Sequence, residues 1–314
     1  MTDSSFAMMP APEAADLSEV LDRSFYELVK RPAFDLVESL IVSLGNCYDQ
    51  AVSENGLAEF RVQCQKHSLH RLVLECPFTR RAFEKPRGYA GDAVMLDYIY
   101  RPTMESLSDT GKQIFSATTS VSSAQSIAWR RDHLGTEIAK TVENQAHTKI
   151  LSVASGHLRE LDVVRELTAR RDISIDALDQ DADSLNEAVN SYPDFDIQPI
   201  NKSITHLLRS RSRATYDLIY SAGLFDYLSV KVGSALLKKL LELLKPDGRL
   251  IVGNYATDNF GRGYMEGMMD WSLIYRDETD MTNLIRNAQT CREYRTYRDA
   301  PGNVVYLEVS QRWS

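Results

Sequence analysis

After residue 147, short runs rich in β-branched residues alternate with helical patterns, and this alternation restricts the fold more than any other feature of the sequence. Such alternation implies right-handed crossovers and a parallel sheet covered by helices on both faces. We therefore predict a doubly wound, mostly parallel α/β sheet. The predicted strands are 149–154, 173–178, 195–199, 218–221 and 250–253, and the predicted helices are 158–169, 182–189, 204–208 and 231–244.

The end of the chain departs from this alternation. Two runs of β-branched and aromatic residues, 291–297 and 304–309, flank the segment Asp-Ala-Pro-Gly-Asn at 299–303. Strand-like runs around a Pro-Gly turn predict an antiparallel hairpin. We expect this hairpin to complete the sheet.

Before residue 147 the pattern is helical. Apolar residues recur at helical spacing at Val20, Leu21, Phe25, Leu28 and Val29, and the repeat resumes after Pro32. This spacing predicts amphipathic helices. Further helices are predicted after residue 56, after the glycine-bearing loop 85–92, and over 116–142 as one long helix. We therefore divide the chain into an N-terminal α-helical cap, residues 1–147, and a sheet domain, residues 148–314.

Composition excludes two classes of partner. The net charge is −8 over 314 residues, whereas binding to a phosphate backbone requires a basic footprint, so we expect no nucleic-acid partner. No apolar run approaches the roughly 20 residues that a membrane span needs. The first 16 residues are acidic and rich in small side chains, unlike a signal peptide, and we expect a cytoplasmic protein.

Cysteine and histidine spacing does not indicate metal or disulfide chemistry. The cysteines at 47, 64, 76 and 291 show no Cys-x-x-Cys pattern. His67 and His70 lie three residues apart, but no carboxylate or third ligand stands at a helpful offset. We expect reduced thiols and no bound metal.

A single glycine, Gly156, follows the first predicted strand in the segment Ile-Leu-Ser-Val-Ala-Ser-Gly-His-Leu at 150–158. In an open parallel sheet, ligands bind beyond the carboxyl ends of the strands, at the point where the strand order reverses. A helix that begins there directs backbone N–H groups at the ligand. Asp179 ends the second predicted strand about 20 residues later, where a carboxylate accepts hydrogen bonds from both hydroxyls of a ribose. The alternative role for Asp179 is the N-cap of the next helix.

Segments 216–228 and 243–254 extend this pattern with a strand entered through Tyr-Asp, a leucine-rich helix, a Lys-Pro-Asp-Gly turn and another apolar strand. Together these motifs resemble the class I S-adenosylmethionine-dependent methyltransferases over residues 148–310, and the hairpin is similar to their reversed last strand. The resemblance implies a Rossmann-like domain that binds S-adenosylmethionine. Where that family usually has an acidic residue followed by a glycine-rich loop, this sequence has Ser152, Ala154 and Leu158. Contacts to the amino end of the donor must therefore come from other residues.

The resemblance places further donor contacts, besides Asp179 at the end of the second strand, at three other strand ends. The loop after the first strand lines the ribose and the methionine side of the donor, the residues after the third strand contact adenine, and the end of the fourth strand faces the reactive sulfur. The cofactor-binding candidates are Ser155, Gly156, Asp179, Asn201, Ser203, Ser221 and Ala222.

Two further segments, 87–92 (Arg-Gly-Tyr-Ala-Gly-Asp) and 264–276 (Tyr-Met-Glu-Gly-Met-Met-Asp-Trp-Ser-Leu-Ile-Tyr-Arg), resemble the extracellular-factor 3-hydroxypalmitic acid methyl ester biosynthesis family. In this interpretation Asp92 accepts a hydrogen bond from the ammonium of the donor, and the ring of Tyr89 lies against the sulfonium. Gly88 and Gly91 permit close approach of the backbone. The alternative is an interhelical turn in which Asp92 is a cap.

The candidates for an acceptor pocket are Tyr227, Asn254, Tyr255, Trp271 and Tyr275. A pocket lined by aromatic residues and a few polar groups suits a small or amphipathic ligand. The alternative is that the aromatic residues belong to the core, because Trp271 and Tyr275 are four residues apart, as on one face of a helix. His157 is a candidate general base for an acceptor that must lose a proton. The catalytic candidates are Tyr89, Asp92, His157 and Tyr227.

Three hypotheses of function follow, each with a small-molecule partner, and a homodimer is left open. The leading hypothesis is methyl transfer from S-adenosylmethionine to an oxygen of the acceptor, with release of S-adenosylhomocysteine. Because the sulfonium is already activated, this reaction needs placement and exclusion of water more than an acid–base triad. The second is a cyclase, in which the amine of the donor attacks its own γ-carbon to give azetidine-2-carboxylate and methylthioadenosine. The third is a sensor that binds the donor without turnover.

Overall fold

The computed structural model of the chain describes residues 16–143, 146–170, 172–210, 215–288, 290 and 292–310. Residues 1–15 and Cys291, on which parts of the N-terminal and hairpin predictions fall, lie outside the described residues. In the described part, helices precede a seven-stranded sheet that is itself interleaved with helices. The predicted α/β class is therefore confirmed.

Helices form the first half of the chain, as the apolar spacing predicts. Their amphipathic faces pack on one another, with Leu28, Leu40 and Leu44 fully or almost fully buried. The helices are α1 (Leu17–Lys30), α2 (Phe34–Ser53), α3 (Leu57–Lys66), α4 (Ser68–Val73), α5 (Pro77–Glu84), α6 (Ala93–Tyr100), α7 (Asp109–Ser120) and α8 (Ser122–Glu143).

The single long helix predicted over 116–142 is wrong, because the chain breaks at Val121. This residue has extended backbone angles, φ −63° and ψ 155°, between α7 and α8. The hydroxyls of Thr118 and Thr119 donate to the carbonyls of Ile114 and Phe115, both at distances under 2.9 Å. Such back-bonding by threonine weakens and bends a helix, which accounts for the break in the Ser-Ala-Thr-Thr-Ser-Val segment.

The sheet has the strand order β3-β2-β1-β4-β5-β7-β6. Strands β1 to β5 pair in parallel, and β7 runs antiparallel between β5 and β6. The doubly wound sheet and its terminal hairpin are therefore as predicted. The strands are β1 (Thr148–Val153), β2 (Ile173–Asp179), β3 (Asp196–Asn201), β4 (Tyr216–Ser221), β5 (Leu244–Tyr255), β6 (Glu293–Arg298) and β7 (Val304–Ser310).

The helices of the second half are α9 (Glu160–Leu167), α10 (Ala182–Ser191), α11 (Ile204–Arg209), α12 (Val230–Leu243), α13 (Arg262–Gly267) and α14 (Glu278–Ala288), with a short 3-10 helix at Phe225–Tyr227. Of these helices, α9 to α12 lie at the predicted places, whereas α13 and α14 were not predicted. The helical spacing of Trp271 and Tyr275 is misleading, because α13 ends at Gly267 and Asp270 has a φ of 48°.

Strand β5 begins at Leu244, earlier than predicted, and the predicted Lys-Pro-Asp-Gly turn is an irregularity within it. Tyr216 pairs with Leu244, whereas Leu218 already pairs with Arg249. A proline cannot donate to the ladder, and inserted residues bulge out of a strand. At Gly248 a Cβ would lie 2.7 Å from the Tyr216 carbonyl oxygen. The turn residues are therefore accommodated by a bulge.

One hydrophobic core joins the two halves of the chain. It contains Leu44 and Phe115 from the cap together with Ile150 and Tyr306 from the sheet. A second core, which includes Leu236, contains residues of the sheet domain alone. The division at residue 147 stays a prediction, and the shared core places the cap firmly against the sheet.

Candidate active site

A cavity of about 390 Å³ lies at the carboxyl ends of β1, β2 and β4, where the strand order reverses. Ligands bind at this place in open α/β sheets, and small-molecule sites have volumes of roughly 300–1,000 Å³. We call it the switch-point cavity. Its lining includes Tyr89, Gly91, Ala93, Asp97, Tyr100, Arg130 and Arg131 from the cap, and Ala154, Ser155, Gly156, His157, Glu160, Asp179, Lys202, Ser203, Tyr220, Ala222 and Tyr227 from the sheet domain.

The loop after β1 keeps a left-handed backbone at three alternate positions although it has one glycine. Ala154, Gly156 and Leu158 have φ angles of 56°, 55° and 53°. Residues other than glycine adopt this conformation at a cost of about 1–2 kcal/mol. At Gly156 an added Cβ would lie 3.2 Å from the Cβ of Ala93, so the loop closely approaches the start of α6. The replacement of glycine at 154 and 158 therefore leaves the turn in place.

Asp179 presents a buried carboxylate at the end of β2, where the residue is 6% exposed. One oxygen accepts a hydrogen bond from the Gly156 N–H and the other from the Asp181 N–H, each at 2.9 Å. Burial raises the pKa of Asp179. The N-cap of α10 is Asp181, so the capping alternative for Asp179 is wrong.

His157 is 5% exposed and pairs with a carboxylate from the cap. Its Nδ1 lies 2.9 Å from Asp97 Oδ2, and its buried Nε2 has no hydrogen-bond partner among the described residues. Arg159 donates to both oxygens of Asp97, at 2.8 and 2.6 Å. Burial alone would raise the pKa of Asp97, but the hydrogen bonds from Arg159 and His157 hold it at about 2. This anion favours a proton on Nδ1, which leaves Nε2 as an acceptor.

The loop between α5 and α6 covers the β2 side of the switch-point cavity. Arg87 pairs with Asp181 at 2.6 Å and so fastens the loop to the start of α10. Tyr89 lines the cavity. Burial and the nearby charge of Asp179 raise the pKa of Tyr89. The phenol is therefore a neutral group at neutral pH, and it lies near the carboxylate that we expect to hold the ribose.

Asp92 is fully buried and is not part of the described cavity lining. Its carboxylate caps α6 by accepting the Met95 N–H at 2.8 Å. Arg81 Nε donates to both of its oxygens, at 2.8 and 3.0 Å. The structure thus gives Asp92 the capping role that was the alternative, and it does not support the expected contact with the ammonium of the donor.

The other donor candidates divide into two groups. Ser155, Ser203 and Ala222 line the switch-point cavity, and the buried Ser155 hydroxyl has no partner among the described residues. Asn201 instead donates to backbone carbonyls at the end of β2, at 3.3 and 3.0 Å. Ser221 is 1% exposed and donates to a carbonyl of β1 at 3.0 Å. The side chains of Asn201 and Ser221 thus hydrogen-bond to the backbone at the strand ends. The structure does not support their predicted contacts with the donor.

Among the predicted acceptor residues, Tyr227 lines the switch-point cavity, whereas the other four are not among its described lining. Trp271 Nε1 donates to the Tyr227 hydroxyl at 2.8 Å. Tyr255 and Trp271 line a separate void of about 20 Å³, which has room for a single water molecule at most. Asn254 is fully buried, with its amide on backbone carbonyls at 2.9 and 2.8 Å. Together with Tyr275, these residues fit the core alternative.

The sequence reasoning missed several charged residues of the cavity lining, among them Arg130 and Glu160. These two are each 8% exposed. In the sequence, Arg130 stands between Ile127 and Leu134 on the apolar face of a predicted helix. Charged side chains are almost never fully buried unless they are paired, so an arginine on such a face is a signal of a functional or paired position. Glu160 lies in the first turn of α9, where an acidic residue is ordinarily explained by the helix dipole.

In the part of the chain that the structure describes, no three His, Cys, Asp or Glu side chains are arranged to hold a metal ion. A separate search of the described helices finds none that is long and apolar enough to cross a membrane.

No protein-family model matches the sequence, and a search of curated proteins finds no match. Solved structures do share the fold. A possible exported protein from Bordetella parapertussis is 15% identical, with 98% of this chain and 100% of that chain covered and a TM-score of 0.59. Because the match takes in the cap as well as the sheet, the arrangement of both halves recurs in that protein.

Two methyltransferases show weaker similarity. The magnesium protoporphyrin IX methyltransferase from Synechocystis is 10% identical over 60% of this chain and 83% of that chain, with a TM-score of 0.43. The N-methyltransferase NodS from Bradyrhizobium japonicum is 13% identical over 58% and 96%, with a TM-score of 0.40. At these levels the similarities concern the fold alone.

Proposed function

We propose that the protein is an S-adenosylmethionine-dependent methyltransferase that acts on an oxygen of a small molecule. The observation that carries the proposal is the buried carboxylate of Asp179 at the end of β2, beside the left-handed loop after β1, on the wall of the switch-point cavity. A carboxylate in this position accepts hydrogen bonds from ribose hydroxyls.

The residues of the cavity fit the donor. Two buried polar atoms on its wall, Ser155 Oγ and His157 Nε2, have no partner among the described residues. Buried polar groups are ordinarily hydrogen-bonded, so these atoms suit the polar groups of a nucleoside or its substrate. Asp179 retains lone pairs beyond the two that accept backbone N–H groups. Ribose hydroxyls satisfy that remaining capacity.

When bound, S-adenosylmethionine supplies a methyl group on a sulfonium, and the protein has to align the acceptor and exclude water. The cap, through Tyr89 and its neighbours, closes the cavity over the strand ends. If the acceptor is a carboxylate, the new C–O bond forms as the C–S bond breaks, and no proton moves. If it is a hydroxyl, His157 Nε2 accepts the proton that is released, and the Asp97 anion stabilises the imidazolium.

The finer identity of the acceptor rests on the sequence resemblance alone. The segments 87–92 and 264–276 support a 3-hydroxy fatty acid, whose carboxylate would become a methyl ester. A cytoplasmic location and a homodimer likewise remain proposals from the sequence. The proposal places donor and acceptor together in the switch-point cavity of about 390 Å³.

A second candidate function, cyclisation of the donor, is favoured by the absence of three of the four predicted aromatic acceptor residues, Tyr255, Trp271 and Tyr275, from the described cavity lining. In that reaction the amine of the donor attacks its γ-carbon as the C–S bond breaks. Azetidine-2-carboxylate and methylthioadenosine leave, and the proton of the amine passes to a base. His157 Nε2 is the available acceptor for this proton.

Incubation of the purified protein with S-adenosylmethionine, with and without candidate acceptors, tests the proposal by mass spectrometry. Methyl transfer yields S-adenosylhomocysteine only when an acceptor is present. Methylthioadenosine and azetidine-2-carboxylate formed together without an acceptor would establish the cyclase, and tight binding without any product would establish the sensor. Asp179→Ala should weaken binding of S-adenosylhomocysteine about tenfold or more. The control is Asp196→Ala, at an exposed position on the edge strand β3.

A further inference from the structure

Arg130 is a buried cation without a carboxylate partner on the wall of the switch-point cavity. It is 8% exposed, and its Nη1 donates to the Ala222 carbonyl at 3.0 Å. Its other contact is a long one, 3.5 Å from Nη2 to the Tyr100 hydroxyl. The other arginines that line the cavity, Arg131 and Arg159, pair with aspartates at 2.7 and 2.6 Å. A buried arginine is costly unless a negative charge compensates it.

Glu160 is the corresponding buried anion. It is also 8% exposed and lines the same cavity. The Tyr220 hydroxyl donates to one of its carboxylate oxygens, and no lysine, arginine or histidine among the described residues forms an ion pair with it. Burial raises the pKa of Glu160, and an ammonium ion at hydrogen-bond distance would restore the ionised form.

We propose that Arg130 and Glu160 bind the zwitterionic amino-acid end of S-adenosylmethionine, Arg130 taking the α-carboxylate and Glu160 the α-ammonium. The proposal rests on the proposed function of the cavity. A guanidinium binds a carboxylate through two parallel hydrogen bonds. Neither side chain forms a salt bridge among the described residues, although the charge of Arg130 favours the ionised form of Glu160, and together they match the two charges that a free α-amino acid group carries.

The positions of these residues in the sheet agree with this assignment. Asp179 lies at the end of β2, and Arg130 contacts Ala222 just beyond the end of β4. Strand β1 lies between β2 and β4, so the backbones of these two strands are about 10 Å apart, or two strand spacings. A donor held by its ribose at Asp179 extends its amino-acid end across β1 toward Arg130. These contacts replace those that a glycine-rich loop would give to the amino end.

Calorimetric titration with two probes tests the assignment. S-adenosylhomocysteine carries the amino-acid end, whereas 5′-methylthioadenosine shares the nucleoside and lacks that end. In Arg130→Met, affinity for S-adenosylhomocysteine should fall about tenfold or more, and affinity for methylthioadenosine should stay within about twofold of wild type. Arg130→Lys, which keeps the charge but not the paired donors, should lose less. The control is Arg101→Met, an exposed arginine paired with Asp162.

Two further measurements keep the proposal testable if one variant is defective. The ligand-free Arg130→Met protein should stay folded, with the far-UV circular dichroism spectrum of the wild type, so that a loss of affinity is not a loss of folding. Glu160→Gln keeps a hydrogen-bond acceptor for Tyr220 and should also lose affinity for S-adenosylhomocysteine but not for methylthioadenosine. Equal losses for both probes, or for neither, overturn the amino-acid site while the proposed function stands. A wild-type protein that binds neither probe overturns both.

Discussion

The pair formed by Asp97 and His157 gives a stability prediction whose size follows from the structure. Asp97 is 22% exposed at its side chain and has a pKa of about 2, against 3.8 for a free aspartate. Because the pKa of the folded state lies below that of the unfolded state, the ionised carboxylate stabilises the fold fully above about pH 4. The shift corresponds to about 2 kcal/mol, and this contribution is lost as the pH falls through about 2.

Asp97→Asn should therefore lower the free energy of unfolding by about 2 kcal/mol near pH 7 and by only about 1 kcal/mol near pH 3. Urea unfolding followed by circular dichroism at both pH values measures the difference. Asp109→Asn is the control, because that side chain is 95% exposed, and it should change the free energy by less than about 0.5 kcal/mol. An equal loss at both pH values would refute the electrostatic origin of the effect.

Three further substitutions test the cap and the loop. Asp92→Asn should lower the free energy of unfolding by about 2–4 kcal/mol, because it breaks a buried pair with Arg81; a loss of turnover at unchanged stability would contradict the capping role. Gly91→Ala should cost about 1–3 kcal/mol, since the new Cβ would lie 2.8 Å from the Trp271 ring; an unchanged melting temperature would exclude this close approach. Ala154→Gly should change the free energy of unfolding by less than about 1 kcal/mol. Glycine removes the backbone strain at φ 56°, but it also gives the unfolded chain more conformational entropy, and the two effects oppose each other. A loss above about 2 kcal/mol in chemical unfolding would count against that balance.

The fold was predictable because each strand and helix of the second half carries a local pattern. The alternation after residue 147 and the turn at 299–303 were enough to predict the parallel sheet and the hairpin. The predictions were wrong where one local sequence pattern is compatible with two different structures. The Pro-Asp-Gly sequence before Arg249 forms a bulge as readily as a turn. The break at Val121 depends on threonine side-chain bonds that apolar spacing does not report.

The site was predictable only where its residues follow a strand end. Asp179 and His157 were found because parallel strands bring their carboxyl ends to one edge. Asp97 and Arg130 come from helices of the cap, and no local pattern states which face of a helix docks on the sheet. Asp92 was misassigned because a capping aspartate and a ligand-binding aspartate look alike before a helix. The distinction depends on its partner Arg81, which is supplied by α5.

The unpartnered Nε2 of His157 leads to the prediction that separates the candidate reactions. A sulfonium donor needs no base when the acceptor is a carboxylate, whereas a hydroxyl acceptor or the amine of the donor has to lose a proton. Because the Asp97 anion fixes the imidazole with Nε2 as an acceptor, we expect His157→Gln to lower turnover by about 10²-fold or more for a hydroxyl acceptor or for cyclisation, and to leave turnover unchanged for the carboxylate of a 3-hydroxy fatty acid. Affinity for S-adenosylhomocysteine should change far less.

His157→Gln is informative because its effect on kcat can be compared with its effect on the affinity for S-adenosylhomocysteine. A loss of affinity that matches the loss of turnover would mean that His157 holds the donor and moves no proton. Unchanged turnover would leave a carboxylate as the acceptor, since that reaction alone proceeds without a base. The cap would then contribute Arg130 and an enclosing wall, and Asp97 would act through the stability of the loop after β1.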